Sequence, residues 1–135
     1  MNATRYTADV QVRFADIDAM HHVNNAVYAT FLEEARSAYF RDVLDRSLVD
    51  ADTVLASLSI DYRSPITHGQ SVTVDVSASD LGTSSIPMEY EVRADGDLAA
   101  IAETVQVVFD RETGKSRPIP DEWRERIEGH RAGDD

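Results

Sequence analysis

Six polar side chains that could do chemistry lie close together near the start of the chain. They are two carboxylates, two imidazoles and two amides, at Asp16, Asp18, His21, His22, Asn24 and Asn25. A segment with strand-like alternation precedes them and a segment with helical spacing follows, so they fall at a strand-to-helix junction. A buried polar group without a partner costs roughly 1–3 kcal/mol, so a chain that only had to fold would place apolar residues there. The pattern therefore indicates a functional site.

Composition narrows the chemistry of that site. The chain contains no cysteine, which excludes a thiolate nucleophile, a disulfide framework and a Cys-ligated zinc. A metal site built from the carboxylates and imidazoles of Asp16, Asp18, His21 and His22 is an alternative, because oxygen and imidazole ligands suit zinc or manganese. A strand end and a loop offer no regular ligand spacing, however, so we expect no metal.

The charge of the chain limits its partners. The formal net charge of −12 argues against a nucleic-acid ligand, which needs basic stripes. Lys115 is the only lysine, and an acidic, arginine-biased composition fits either a salt-adapted cytoplasm or codon bias. No apolar run approaches the ~20 residues of a membrane helix, and the N-terminus lacks the features of a signal peptide. We therefore expect a cytoplasmic protein that binds no membrane.

The predicted elements are one strand, one long helix, four more strands and a short helix. Period-two alternation predicts strands over residues 6–14, 54–62, 72–78, 86–92 and 101–109. Apolar residues three and four apart predict helices over about 24–44 and 121–127. Because short turns join the later strands, these strands pair antiparallel. We expect one α+β domain over residues 1–128, with a polar, frayed tail over 129–135.

The strand-to-helix junction carries a specific motif. It reads Asp16-x-Asp18-x-x-x-His22-Val23-Asn24-Asn25-x-x-Tyr28 and continues with Phe31-Leu32-Glu33-Glu34-Ala35-Arg36. This run resembles the hotdog-fold acyl-CoA thioesterases, most closely the 4-hydroxybenzoyl-CoA thioesterase group. Weaker supporting runs are Asp61–Pro65 with Gly69, Leu81–Ser85 and Ile119-Pro120. The resemblance implies a single hotdog domain, a long helix wrapped by a curved antiparallel sheet of about five strands, that hydrolyses acyl-CoA to free acid and CoA.

The resemblance places the catalytic carboxylate at Asp18 and the main oxyanion donor at the backbone N–H of Asn25. Thioester hydrolysis needs a carboxylate that attacks the carbonyl or activates water, and donors for the oxyanion that forms. The first N–H groups of a helix lack intrahelical acceptors, and the helix dipole favours a nearby anion. Asp16, one strand period from Asp18, should share its sheet face, and a cap or a salt bridge to Arg13 or Arg36 explains it without catalysis.

Neighbouring motif positions are expected to bind or position the substrate. His22 matches the family's histidine, for which we expect a positioning or hydrogen-bonding role. His21 stands where the family usually has glycine, which reaches backbone conformations that strain histidine. Either the loop is reshaped, or His21 projects into the acyl pocket or over its mouth, or it is an exposed loop residue. Asn24 and Asn25 are good N-cap types, so starting the helix is an alternative role for both of them. Tyr28 is a candidate pocket wall.

The CoA end of the substrate has its own candidates. Thr83, Ser84 and Ser85 match the family segment that lies along pantetheine and nucleotide. Family members often carry a basic residue near position 83, where this chain has threonine. Hydroxyl and backbone N–H groups still hold phosphate, and Arg63 or Arg93 would supply positive charge, if necessary across a subunit boundary.

Other functions remain open within the same fold. A hotdog enoyl-thioester hydratase needs an Asp and a His that cooperate on water, as Asp16 and His21 would, but the Gly-Asp-x-Asn-Pro context of those enzymes is missing. A non-catalytic thioester-binding module is a further alternative. The presence of Asp18 at the motif position of the catalytic carboxylate argues against it. Some thioesterases of this fold carry the catalytic acid on the helix, which leaves Glu33 or Glu34 as an alternative base.

Self-association is expected, because a lone hotdog domain leaves sheet edges exposed. The family forms a dimer whose sheets join, often doubled to a tetramer, with each site at a subunit interface. We therefore expect a homodimer or a dimer-of-dimers tetramer. Acyl-CoA is the small-molecule substrate, and the resemblance implies neither a metal nor a bound cofactor.

Overall fold

The computed structural model of the chain describes residues 5–132. Its elements are β1 (Tyr6–Val10), a 3-10 turn (Phe14–Asp16), α1 (Val27–Val43), β2 (Thr53–Tyr62), β3 (Val72–Ala78), β4 (Ser85–Ala94), β5 (Asp97–Val108) and α2 (Asp121–Arg131). The strands form one antiparallel sheet in the order β1-β3-β4-β5-β2, and α1 packs across β1 and β3. The predicted α+β class, with one long helix on an antiparallel sheet of about five strands, is confirmed.

The core lies between α1 and the inner face of the sheet. β3 and β4 alternate between buried and more exposed residues. The helix contributes an apolar stripe made of Tyr28, Phe31, Leu32, Ala35, Tyr39 and Phe40. The same face carries the buried Arg36, whose guanidinium donates to the Tyr90 hydroxyl at 3.2 Å. Burying one large apolar side chain is worth about 1.5–3 kcal/mol, so this stripe fixes α1, and with it the start of α1, on the sheet.

The edge strand β2 departs from the predicted alternation. Its register against β5 shifts between Leu55 and Ser57, so Ala56 is an extra residue. Such a bulge breaks the alternation of side chains along the strand, so that residues before the bulge face the opposite side of the sheet from the one that the alternation after it predicts. Leu58 therefore faces the helix side as predicted, whereas Val54, predicted on that face, lies on the outer face. Most of β2 is exposed rather than half-buried, because α1 covers the other half of the sheet.

The first strand is shorter than predicted. β1 ends at Val10, and a 3-10 turn follows, in which Asp16 accepts the backbone N–H of Arg13 at 2.8 Å. Phe14, which the predicted alternation over residues 6–14 would place on the same buried face as Ala8 and Val10, is 85% exposed. The expectation that Asp16 and Asp18 share one strand face is therefore wrong, because the turn removes the alternation on which it rested.

The C-terminal helix is longer than predicted. α2 runs from Asp121 to Arg131, so the domain boundary expected after residue 128 falls inside it. The Arg131 guanidinium pairs with the Asp80 carboxylate at 3.0 Å. Residues 133–135 of the expected tail lie outside the described residues. Between residues 5 and 132, no helix is both long and apolar enough to cross a membrane.

The two ends of the sheet hold different candidate residues. Because neighbouring strands are antiparallel, the last residues of β1 and β2 and the first residues of β5 meet at one end, which we call the Tyr62 end. The connection from β3 to β4, residues 79–84, lies at the opposite end, which we call the Ser85 end. β4 has 10 residues, and at ~3.3 Å per residue the two ends are about 30 Å apart.

Candidate active site

A tight loop presents Asp18 at the Tyr62 end of the sheet. An isolated bridge pairs Ile17 with Val23. Inside it, the Asp18 N–H donates to the His22 carbonyl at 2.8 Å and the His21 N–H donates to the Asp18 carbonyl at 3.0 Å. His21 has a φ of 67°, as expected for the left-handed residue that follows the turn in a three-residue loop. The loop thus has, at position 21, the left-handed backbone conformation that favours glycine. An exposed histidine occupies this position.

The loop uses one of the two carboxylate oxygens of Asp18. Oδ1 accepts the N–H groups of Met20 at 2.9 Å and of His22 at 3.3 Å. Oδ2 accepts no hydrogen bond from the described residues. The two N–H groups fix the orientation of the half-buried carboxylate, which leaves Oδ2 for a substrate carbonyl or a water molecule.

The turn before α1 leaves the backbone N–H of Asn25 unused. The helix begins at Val27 rather than near Asn24, because Asn24 caps the preceding turn. The Asn24 Oδ1 accepts the Ala26 N–H at 2.9 Å, and the Asn24 carbonyl accepts the Val27 N–H at 2.9 Å. The Asn24 N–H donates to the Asp16 carbonyl at 2.8 Å. Among residues 24–27, only the Asn25 backbone N–H donates no hydrogen bond, and such an N–H can stabilise developing negative charge.

Asp18 and Asn25 line the same cleft, which has a volume of about 360 Å³. The other lining residues come from the loop, the start of α1 and the end of β2: Met20, His22, Val23, Tyr28, Tyr62, Arg63, Ser64 and Pro65. The buried Tyr28 ring packs edge-to-face on the Tyr62 ring, with 4.9 Å between centroids. Burial, with a smaller contribution from Tyr62, raises the pKa of Tyr28, so its hydroxyl stays neutral at physiological pH.

Asp16 is buried near the site, but its carboxylate is already engaged. The side chain is 3% exposed, its Oδ1 pairs with the Arg13 guanidinium at 3.0 Å, and its Oδ2 accepts the Arg13 N–H. The hydrogen bond from the Arg13 side chain holds the pKa of Asp16 below its usual value. The salt bridge predicted between Asp16 and Arg13 is confirmed. An Asp16 held in this way, beside an exposed His21, lends no support to a hydratase.

Three other predicted residues lie at the opposite end of the sheet. Thr83, Ser84 and Ser85 belong to the β3–β4 connection at the Ser85 end. Arg124 of α2 donates to the Gly82 carbonyl at 2.7 Å. A Cβ at Gly82 would overlap the Ser85 hydroxyl oxygen, so a larger residue there would force the Ser85 side chain to move. Within one chain, this segment and Asp18 do not belong to one cleft.

The remaining candidates flank the cleft or lie elsewhere. His21 is exposed and does not line the cleft, and Asn24 acts as the cap described above. Glu33 and Glu34 line a separate groove on the solvent face of α1, where partial burial raises the pKa of Glu34. Across residues 5–132, no group of three or more His, Asp or Glu side chains is arranged to hold a metal.

Sequence reasoning gave no role to Tyr62. This residue lines the cleft, and its hydroxyl donates to the Asn25 carbonyl at 2.8 Å. Two signals pointed to it: it belongs to the Asp61–Pro65 run, and the alternation of β2 places it on the helix side with Leu58.

Comparisons with known proteins bear on the family of the chain. Residues 12–127 match the Thioesterase-like superfamily. A thioesterase from Thermus thermophilus, solved with coenzyme A and zinc, is 38% identical, with 93% of each chain covered and a TM-score of 0.86. A predicted thioesterase from Bacillus stearothermophilus is 28% identical, with 93% of this chain and 96% of that chain covered and a TM-score of 0.86. The long-chain acyl-CoA thioesterase FadM of Escherichia coli (strain K12) is 28% identical over 124 residues, 88% of this chain and 94% of FadM. The chain belongs to the thioesterase-like superfamily, and its fold is the hotdog fold that the sequence resemblance predicted.

Proposed function

We propose that the protein hydrolyses acyl-CoA thioesters, with Asp18 as nucleophile or general base and the Asn25 N–H as oxyanion donor. The observation that carries the proposal is the pairing of two unused groups in one cleft. They are the Oδ2 of Asp18 and the N–H of Asn25. Superfamily membership supports thioester hydrolysis, and the related structure with coenzyme A supports a CoA thioester as the substrate.

Two routes use these groups, and both end in a free acid and CoA. In the first, Asp18 Oδ2 attacks the thioester carbonyl, the C–S bond breaks and CoA leaves as a thiolate that takes a proton. Water then cleaves the acyl–Asp18 anhydride. In the second, Asp18 takes a proton from the attacking water, and that proton passes to the departing thiolate. Both routes form an oxyanion, for which one well-placed donor is worth about 10²–10³-fold in kcat.

The other cleft residues support either route. The His22 N–H helps to orient the Asp18 carboxylate, which is a positioning role through the backbone. Tyr28 supplies the apolar wall for the acyl group, and Asn24 caps the turn that carries Asn25. Arg63 gives the cleft a positive charge that suits a polyanionic substrate. In this proposal CoA enters as part of the substrate, and the protein holds no resident cofactor.

A second copy of the chain would complete the CoA end of the site. On the helix side of β2, Leu55, Leu58 and Tyr62 are exposed in the single chain. A two-fold axis through the middle of β2 would pair two β2 strands antiparallel and cover these side chains. It would also bring the Ser85 end of one copy beside the Tyr62 end of the other. We therefore propose a homodimer, or a dimer-of-dimers tetramer, in which Thr83–Ser85 of one copy complete the site around Asp18 of the other. The cytoplasmic location expected from the sequence stays a prediction.

The test is thiol release from a panel of acyl-CoAs, from short aliphatic to long-chain and aromatic, at low and high salt. Asp18→Asn should lower kcat about 100-fold or more, because a positioned acid–base group contributes at least that much. Asp9→Asn, at an exposed position on β1, is the matched control and should keep wild-type activity. Acyl-CoA binding without thiol release would favour a binding module. Full activity of Asp18→Asn would overturn the assignment of Asp18.

A further inference from the structure

Tyr62 joins the end of the edge strand to the start of α1. Its hydroxyl donates to the Asn25 carbonyl at 2.8 Å. Its ring packs edge-to-face on Tyr28, one turn along the helix. One side chain therefore reaches both the residue that carries the unused N–H and the buried wall of the cleft.

The Asn25 carbonyl has no partner in the helix itself. In a continuous α-helix, it would accept the N–H of Ala29, four residues later. Here the Ala29 N–H donates to the Ala26 carbonyl at 3.3 Å instead. The Tyr62 hydroxyl thus takes the place of the helical donor, and Asn25 stays in a turn outside the helix.

We infer that Tyr62 is a positioning residue, which holds Asn25 outside the helix so that its N–H stays available to the thioester oxyanion. The inference rests on the proposed function and adds to it a residue from β2. Without the hydroxyl, the Asn25 carbonyl is free to accept the Ala29 N–H. The helix then gains a residue at its start, and the Asn25 backbone turns away from the geometry that serves the cleft.

Tyr62→Phe tests the inference, because it removes the hydroxyl and keeps the ring against Tyr28. We expect kcat to fall about tenfold, less than the complete loss of an oxyanion donor would cost, with KM nearly unchanged. Hydrogen exchange at the Ala29 amide should become slower, because this N–H gains the Asn25 carbonyl as its helical acceptor, while the midpoint of urea unfolding stays close to that of wild type. Tyr6→Phe is the matched control, since it removes a tyrosine hydroxyl that bonds Asp42 away from the cleft.

The outcomes separate this inference from the proposed function. Wild-type kcat in Tyr62→Phe, or a higher KM with unchanged kcat, would overturn the positioning role. Unchanged exchange at the Ala29 amide would also overturn it, because the turn would then not depend on the hydroxyl. Absence of thiol release from the wild-type protein would instead reject the proposed function. In that case the exchange measurement would still decide whether Tyr62 holds the Asn25 turn.

Discussion

His21 is the residue at which the catalytic loop carries backbone strain. Its φ of 67° costs an L-residue with a Cβ roughly 1–2 kcal/mol, whereas glycine adopts it freely. We expect His21→Gly to raise the free energy of unfolding by about 1 kcal/mol, after allowance for the larger chain entropy of glycine. Urea denaturation measures this change.

The same variant tests whether His21 touches the substrate. Its side chain is exposed and outside the cleft lining, so kcat and KM should stay within about twofold of wild type, as for other surface substitutions. A clear rise in KM for some acyl-CoAs would show that His21 reaches over the mouth of the cleft. Loss of stability in His21→Gly would contradict the strain argument.

Asp16 makes a contribution to stability that depends on pH. Its hydrogen bond and ion pair with Arg13 lower its pKa, so the stabilisation is present above the unfolded value of about 3.9 and is lost as the pH falls through the folded value. We expect Asp16→Asn to lower the free energy of unfolding at pH 7 by about 1–3 kcal/mol. The difference from wild type should shrink as the pH drops below 4, roughly the unfolded value.

The measurement is urea unfolding at a series of pH values. Asp9→Asn, which replaces an exposed carboxylate on β1, controls for the change in net charge and should show almost no such dependence. A constant difference between wild type and Asp16→Asn across the acid range would mean that packing, rather than the ionised carboxylate, explains the loss.

At the scale of elements, the sequence predicts which segments form strands and helices. It does not predict the positions at which a bulge or a turn interrupts a strand. The number, type and order of the strands and the long helix follow from alternation and helical spacing. The bulge at Ala56 does not, because it depends on pairing with the distant strand β5. The turn that exposes Phe14 does not either, because the local contact between Asp16 and the Arg13 N–H interrupts the strand without changing the alternation of the sequence. The late start of α1 was predictable in part, since Asn24 is a good capping residue.

The outer face of the sheet contains an unfavourable pair. Glu89 on β4 lies directly opposite Glu103 on β5, and both are exposed. Like charges in that position destabilise a sheet by a few tenths of a kcal/mol to about 1 kcal/mol. We expect Glu103→Gln to raise the thermal midpoint at low salt, and the gain to disappear in 1 M KCl, where the Debye length is about 3 Å.

Calorimetry at low and high KCl measures this effect. Glu125→Gln removes one exposed charge from α2 and is the control for the net charge of −12. If both variants gain equally, the overall charge rather than the cross-strand pair explains the salt dependence. That result would fit a protein adapted to a salt-rich cytoplasm.

At the scale of the molecule, the candidate site divides into a predictable and an unpredictable part. The residues from Asp18 to Tyr28 are close in sequence, so their motif could indicate one site, and the structure brings most of them to one cleft. The segment at Thr83–Ser85 was also found from sequence, but its distance from Asp18 depends on strand order, which periodicity does not encode. Tyr62 was missed because its contact with Asn25 joins residues 37 positions apart.

The distance between Asp18 and Thr83 within one chain leads to a prediction about the assembled protein. If each site takes Asp18 from one copy and Thr83 from the other, a heterodimer of Asp18→Asn with Thr83→Asp carries one doubly altered site and one native site. Thr83 is exposed at the opposite end of the sheet, and an added carboxylate there should repel the CoA phosphates and raise KM. Each altered homodimer should therefore be nearly inactive at low acyl-CoA concentration. The heterodimer, purified through two different tags, should recover about half of the wild-type activity per dimer.

A heterodimer of Asp18→Asn with wild type is the control and should also show half of the wild-type activity. If only the control is active, Asp18 and Thr83 act within one chain and the shared site is wrong.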